Sequence, residues 1–258
     1  MKAVFLTALT SSQDLVKQFF SLAKPYGLEV SGHFWIDDLP KMAWAAPLDI
    51  LTDPKTVLWA IIGGKTDFEK PDIRYGLALL ALAADARKPY PLKILILHEG
   101  ETGILTDDLP TPLKNAEIFT VSDKGLGAKL VARAHQQKSA LPREYFIDFI
   151  GSEQIGQWFE IRPAAGSWSG AMFGAAGGEI LFQAVGPAGR LPEKTVLHYP
   201  MQGMKLTLGG VEYTAWAAQN EINLETSYYA KVDGNPSAIL FGPYSDEAAA
   251  DVYAITLK

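Results

Sequence analysis

Thr56-Val57-Leu58-Trp59-Ala60-Ile61-Ile62-Gly63-Gly64 is a short, almost wholly apolar run closed by two glycines. A run of this length, rich in β-branched and aromatic residues, reads as a strand buried on both faces. Residues 73–86 follow, apolar around much of a helical circumference, and read as a well-buried helix. Residues 92–97 then form a second buried apolar run. Strand, helix and strand in this order predict parallel pairing, because a crossover helix returns the chain in the same direction.

The same alternation extends outward. Residues 2–9 read as a first strand, and Ser11-Ser12-Gln13-Asp14 supplies N-cap chemistry. Leu15, Phe19, Leu22 and Ala23 recur at helical spacing, and Pro25 with Gly27 closes that helix. Residues 28–30 begin another strand, 116–121 a further one, and 125–137 an amphipathic helix. Residues 32–53, with Trp35, Pro40, Trp44 and Pro47, read as a short helix within irregular chain. The expected fold of residues 1–138 is α/β, a parallel sheet between two helical layers.

The texture changes at residues 139–144, the expected domain boundary. From Tyr145 glycine becomes frequent and helical periodicity fades. Residues 145–150, 157–161, 179–185, 195–199, 204–208, 228–232 and 238–241 read as strands, and a last short helix is expected from Ser245 or Asp246. Lys205 to Thr214 carries Gly209-Gly210 between two β runs, the composition of a two-residue hairpin turn. Residues 145–258 are therefore expected to form a mainly antiparallel, β-rich domain.

The 258 residues are 48 % hydrophobic with a net charge of −6. That balance argues against nucleic acid as a partner. Without cysteine there is no disulfide, thiolate metal site or cysteine nucleophile. This fits a reducing, cytoplasmic setting. A short export signal at residues 1–9 is the alternative reading of the N-terminus. No apolar stretch approaches the roughly 20 residues that span a bilayer.

Ligands of open parallel sheets bind beyond the carboxyl ends of the strands. That rule selects the loops holding Thr10, Ser11 and Ser12; Gly63, Gly64, Lys65 and Asp67; His98 to Glu101; and Ser122 to Lys124. The hydroxyls before the first helix suit a phosphate, or simply cap the helix. Gly64-Lys65-Thr66 is not a P-loop, since that motif needs glycine where Trp59 stands. His98 is a candidate proton-transfer group and Glu69 a second. His33, His135 and His198 are scattered, and no metal-ligand spacing occurs, so no metal is expected. Gly166-Ser167-Trp168-Ser169-Gly170 has Trp168 where a nucleophile elbow has serine. Trp158 and Trp168, amid glycine and other aromatics, are candidates for a platform binding sugar or peptide, or for core packing.

Phe5-Leu6-Thr7 through Asp14, the helix ending before Gly27-Leu28-Glu29-Val30, and the later strand and helix over 56–62 and 74–83 resemble the TIR domain family. TIR enzymes cleave NAD with a glutamate early in that later helix. Here it reads Ile73-Arg74-Tyr75-Gly76-Leu77-Ala78-Leu79, and Glu69 is the nearest glutamate. The resemblance then implies binding or assembly. Thr7-Ala8-Leu9-Thr10-Ser11-Ser12 is also similar to the FMN-phosphate loop of flavodoxins, without its glycine. A response regulator would carry an aspartate where Gly63 stands. Residues 238–250 resemble half of a SPOR domain.

Three functions follow as expectations. The first is signalling, sensing or assembly, with the β domain binding a protein partner. The second is an enzyme on a nucleotide-like or phosphate-bearing small molecule, with Ser11, Ser12 and Lys65 holding phosphate. The third is a carbohydrate- or peptide-binding module around Trp158 and Trp168. No cofactor is assigned, and oligomerisation is left open.

Overall fold

A computed structural model describes residues 2–100, 103–136, 142–244 and 251–258. The chain divides into two compact units, Met1–Leu141 and Pro142–Lys258.

The first unit runs β1 (Ala3–Ala8), α1 (Gln13–Ala23), β2 (Glu29–Phe34), α2 (Leu48–Thr52), β3 (Thr56–Gly64), α3 (Lys65–Phe68), α4 (Pro71–Arg87), β4 (Lys93–Glu99), β5 (Glu117–Thr120) and α5 (Leu126–His135). Its five strands lie in the order β2-β1-β3-β4-β5, and every pairing is parallel. This is a doubly wound order, with its switch point between β1 and β3. Strand side chains alternate between faces. Val4, Leu6 and Ala8 of β1 join Leu58, Ala60, Ile62, Leu95 and Leu97 beneath Phe19 of α1 and Leu126 and Leu130 of α5. Phe5, Thr7, Trp59, Ile61 and Ile96 are buried on the opposite face. On that side α2 packs against α4 and β3. The α/β prediction is met, and α4 is buried over most of its length.

Several sequence expectations shift. Strand β2 continues through Gly32 and His33 to Phe34, where irregular chain is expected; its residues are half-buried or exposed, so no apolar pattern marks them. Gly63 and Gly64 are the last residues of β3 rather than a turn, and α3 follows directly. The glycine at 63 answers a close approach: a Cβ there would lie 3.0 Å from the Leu9 Cβ. His98 and Glu99 belong to β4, not to the loop after it.

The second unit consists of strands: β6 (Tyr145–Ser152), β7 (Gly156–Pro163), β8 (Ala171–Ala176), β9 (Glu179–Pro187), β10 (Met201–Leu208), β11 (Val211–Ala218), β12 (Thr226–Asp233), β13 (Ala238–Pro243) and β14 (Tyr253–Thr256). They form a sheet β6-β7-β12-β9 and a sheet β10-β11-β8-β13-β14, all antiparallel. The two sheets meet through aromatic contacts. Phe159 lies 5.2 Å from Phe173 and Tyr145 lies 4.9 Å from Phe241, centroid to centroid. Gly209 and Gly210 both take positive φ, at 58° and 80°, as the β10–β11 hairpin turn requires.

Residues 195–199 do not form the expected strand. Thr195 instead bonds both backbone groups of Val185 through its hydroxyl, and the His198 amide donates to Asn220. The expected last helix begins within 245–250, outside the described residues, as does most of the SPOR-like stretch after Tyr244. Among the described residues, no helix is long and apolar enough to cross a membrane.

Candidate functional site

The switch point brings together two of the four loops selected by sequence, those after β1 and β3. Leu9 donates its amide to the Ile62 carbonyl (2.8 Å), so β1 and β3 stay paired up to the edge. Leu9 itself lies over Gly63. The polar groups around it are engaged locally. The Ser12 amide donates to Thr10 Oγ1 (3.2 Å), and the Leu15 amide to Ser12 Oγ (3.4 Å). The Gly64 amide donates to Asp67 Oδ2 (3.0 Å), while Lys70 pairs with Asp67 Oδ1 (2.8 Å). A carboxylate of the chain therefore occupies the donor that a phosphate would need. Ser11 is exposed, and Lys65 faces Glu69 across 3.9 Å at the surface.

His98 stands beside Gly63 in register. It is 5 % exposed, and its Nδ1 has no hydrogen-bond partner. Glu99 is exposed and, as the next residue along the strand, points to the other face. Beyond β2, burial raises the Asp37 carboxyl pKa, the Asp72 charge adds to the rise, and Lys70 opposes it.

Beneath this edge lies a relay that the sequence does not advertise. Trp59 Nε1 donates to Thr7 Oγ1 (2.9 Å), and the same hydroxyl lies 3.1 Å from His33 Nε2. With a lone pair taken by the indole, the hydroxyl proton is free to go to the imidazole. Thr7 is fully buried, which makes the relay structural rather than nucleophilic. Thr7→Val keeps the shape but leaves the indole N–H without an acceptor. We expect a loss of about 1–3 kcal/mol in urea unfolding, with non-additivity when combined with Trp59→Phe.

Burial lowers the His33 pKa from its ordinary 6.5. The unfolded chain therefore binds a proton at higher pH than the folded one. His33 contributes stability that is complete above pH 6.5 and is lost as pH falls through the folded pKa. His33→Gln should flatten that part of a stability–pH profile.

In the β unit, Trp158 and Trp168 do not form one platform. Trp158 stands near the start of β7, whereas Trp168 lies beyond its end and bridges to Ile222. Trp158 has other company on the outer face of the four-stranded sheet. It pairs across β7 and β12 with Lys231, whose ammonium lies 5.8 Å from its ring centroid. On the far side of β12, Phe182 meets it edge-on at 6.0 Å. Phe182 is 50 % exposed, and Trp158 Nε1 donates to the Ile155 carbonyl (3.1 Å). Phe182 was not singled out by sequence, since its role depends on cross-strand register.

Two residues further along β7, on the same face, the segment after β9 covers the sheet. Glu160 is fully buried, and its Oε1 accepts from Ser227 Oγ (2.6 Å) and the Gly189 amide (2.8 Å). Tyr229 donates to the Pro187 carbonyl. Burial first, then the Glu160 charge, pushes the Tyr229 phenol well above its usual range. These bonds tie the segment after β9 down onto the sheet. Among the described residues, no group of three or more His, Asp or Glu side chains is placed to hold a metal ion.

No family model matches the chain, and no curated protein matches it. Among solved structures, the crystal structure of a two-domain esterase active on acetylated mannans aligns over 99 % of this chain and 90 % of that chain, at 8 % identity and a TM-score of 0.28. A likeness at that level establishes neither fold nor activity.

Proposed function

We propose that this chain is a non-catalytic recognition protein, in which the β unit binds a carbohydrate or peptide partner and the α/β unit serves sensing or assembly. The observation that carries this reading is the row Trp158, Lys231 and Phe182 on the outer face of the four-stranded sheet, half-buried at Trp158 and Lys231 and exposed at Phe182. Aromatic rings beside a cation suit stacking on a sugar ring or on the side chains of an extended peptide. The α/β edge supports the non-catalytic half of the reading, because its hydroxyls and amides are engaged with one another. The strand order is consistent with a flavodoxin-like or TIR-like unit. The missing NAD-cleaving glutamate and phosphate-loop glycine favour binding over turnover. The lack of cysteine is compatible with the cytoplasm.

The test is a panel of glycans and peptides read by titration calorimetry. Trp158→Ala is expected to weaken a bound panel member by about 30-fold, as loss of a central aromatic anchor does. Unchanged affinity in Trp158→Ala and Phe182→Ala would sink the reading.

A second reading rests on the unpartnered Nδ1 of His98 at the carboxyl edge. It makes the α/β unit an enzyme on a nucleotide-like substrate, with His98 moving a proton. Nucleotide turnover that His98→Ala and Lys65→Ala both abolish would favour it.

A further inference from the structure

A separate feature lies at the opposite, amino edge of the α/β sheet. Here a cavity of about 550 Å³ opens beside the starts of β1 and β3 and the end of α5. It is an open cleft rather than an enclosed cavity. Among the described residues, its ionisable lining is Lys2, Lys55 and His135, with no carboxylate. Chain geometry brings these groups together. The Ala3 amide donates to the Lys55 carbonyl (2.8 Å), which sets Lys2 and Lys55 side by side just before adjacent strands. Lys2 Nζ donates to the Ala134 carbonyl (2.9 Å), which draws it to the residue before His135. Among the acids nearby, Asp53 accepts the Lys55 amide (2.7 Å), Glu117 pairs with Arg133, and the exposed Glu29 donates its amide to the Lys2 carbonyl (3.1 Å).

The remaining walls are apolar and flat. Pro54 and Val57 line one part, and the Tyr26 ring another. Tyr26 is held in place by a bare backbone: a Cβ at Gly127 would come within 2.6 Å of its ring. It is nonetheless 47 % exposed. The next residue, Gly27, takes φ +68° and leaves open space where a side chain would stand.

We infer that this amino-edge cleft binds a small organic anion, with its phosphate or carboxylate head between Lys2, Lys55 and His135 and a flat apolar body against Tyr26. Two lysines converging beside an imidazole favour an anion locally even in a chain of net charge −6. The ring explains why the ligand should be organic rather than a bare ion. The site is independent of the Trp158 face.

Calorimetric titration of the full chain with phenyl phosphate, benzoate and inorganic phosphate tests this. Expected is saturable binding of phenyl phosphate or benzoate, about tenfold or more tighter than inorganic phosphate, falling as salt rises. Lys55→Gln and His135→Gln should each weaken that binding severalfold. Tyr26→Ala should reduce the aryl anions to the level of inorganic phosphate. The inference is overturned if none of the three anions binds saturably. It is equally overturned if inorganic phosphate binds as tightly as the aryl anions, or if Lys55→Gln and His135→Gln both bind like the parent protein. Melting curves of each variant confirm that a loss of binding is not a loss of fold.

Discussion

Lys88→Met is expected to destabilise the α/β unit by about 3 kcal/mol, a fall of roughly 10 °C in its unfolding midpoint. Lys88 follows α4 and is 7 % exposed. Its ammonium donates to three carbonyls: Leu51 (2.9 Å), Asp53 (2.8 Å) and Thr56 (2.9 Å). The geometry uses the full tripod of an ammonium group. It also places a cation at the carboxyl end of α2, where the helix dipole favours one. Methionine matches the length of the stem but removes every donor, and two of the three contacts are buried. The planar guanidinium of Lys88→Arg cannot copy the tripod, so that variant should fall between the parent and Lys88→Met. If Lys88→Met instead melted with the parent protein in differential scanning calorimetry, the three carbonyls would have to find water without cost.

Glu160→Leu is expected to cost the β unit about 2–4 kcal/mol. The Ser227 hydroxyl, itself fully buried, and the Gly189 amide would both lose their acceptor. Glu160→Gln retains that acceptor at Oε1, and its other oxygen has no hydrogen-bond donor to lose. The amide should therefore cost less than about 1 kcal/mol, since it also removes a buried ionisable group. Guanidinium unfolding curves of the two variants separate a hydrogen-bonding role from a charge role. Equal losses in both would show that charge, not acceptance, holds the segment after β9.

What could be read from sequence tracks how strongly burial marks each element. Residues 56–64 and 73–86 declare themselves because they are apolar on every side, and they occupy the middle of the sheet. At the edge, Glu29-Val30-Ser31-Gly32-His33-Phe34 does not, because an edge strand half in solvent needs no apolar pattern. Ala171-Met172-Phe173-Gly174-Ala175-Ala176 was hidden differently. It is a fully buried central strand whose small residues are dictated by crowding: a Cβ at Gly174 would lie 3.2 Å from Ala215 Cβ. Glycine and alanine carry little strand propensity, so nothing local announces it.

The candidate site was legible in position but not in state. The sheet rule located the loops at Thr10–Ser12 and Gly63–Asp67, and β1 and β3 are neighbours there. That Asp67 would engage the Gly64 amide, or Leu9 lie over Gly63, depends on side-chain placement across two strands. The same holds for Glu160. In Gln157-Trp158-Phe159-Glu160 it looks like an outward-facing strand residue, and it is, until the segment after β9 folds over it.

The central claim, that recognition uses the Trp158 face rather than the α/β edge, is tested most directly by fluorine NMR of the protein labelled with 5-fluorotryptophan. The six tryptophans divide evenly, with Trp35, Trp44 and Trp59 in the α/β unit and Trp158, Trp168 and Trp216 in the β unit. Trp158→Phe assigns the key resonance, and the spectrum is then followed during titration with panel glycans, peptides and nucleotides. Recognition at the Trp158 face gives a saturable shift of the Trp158 resonance with a glycan or peptide, while the three α/β resonances stay in place. A saturable shift confined to Trp35, Trp44 or Trp59 on adding a nucleotide, with Trp158 unmoved by every glycan and peptide, would contradict it.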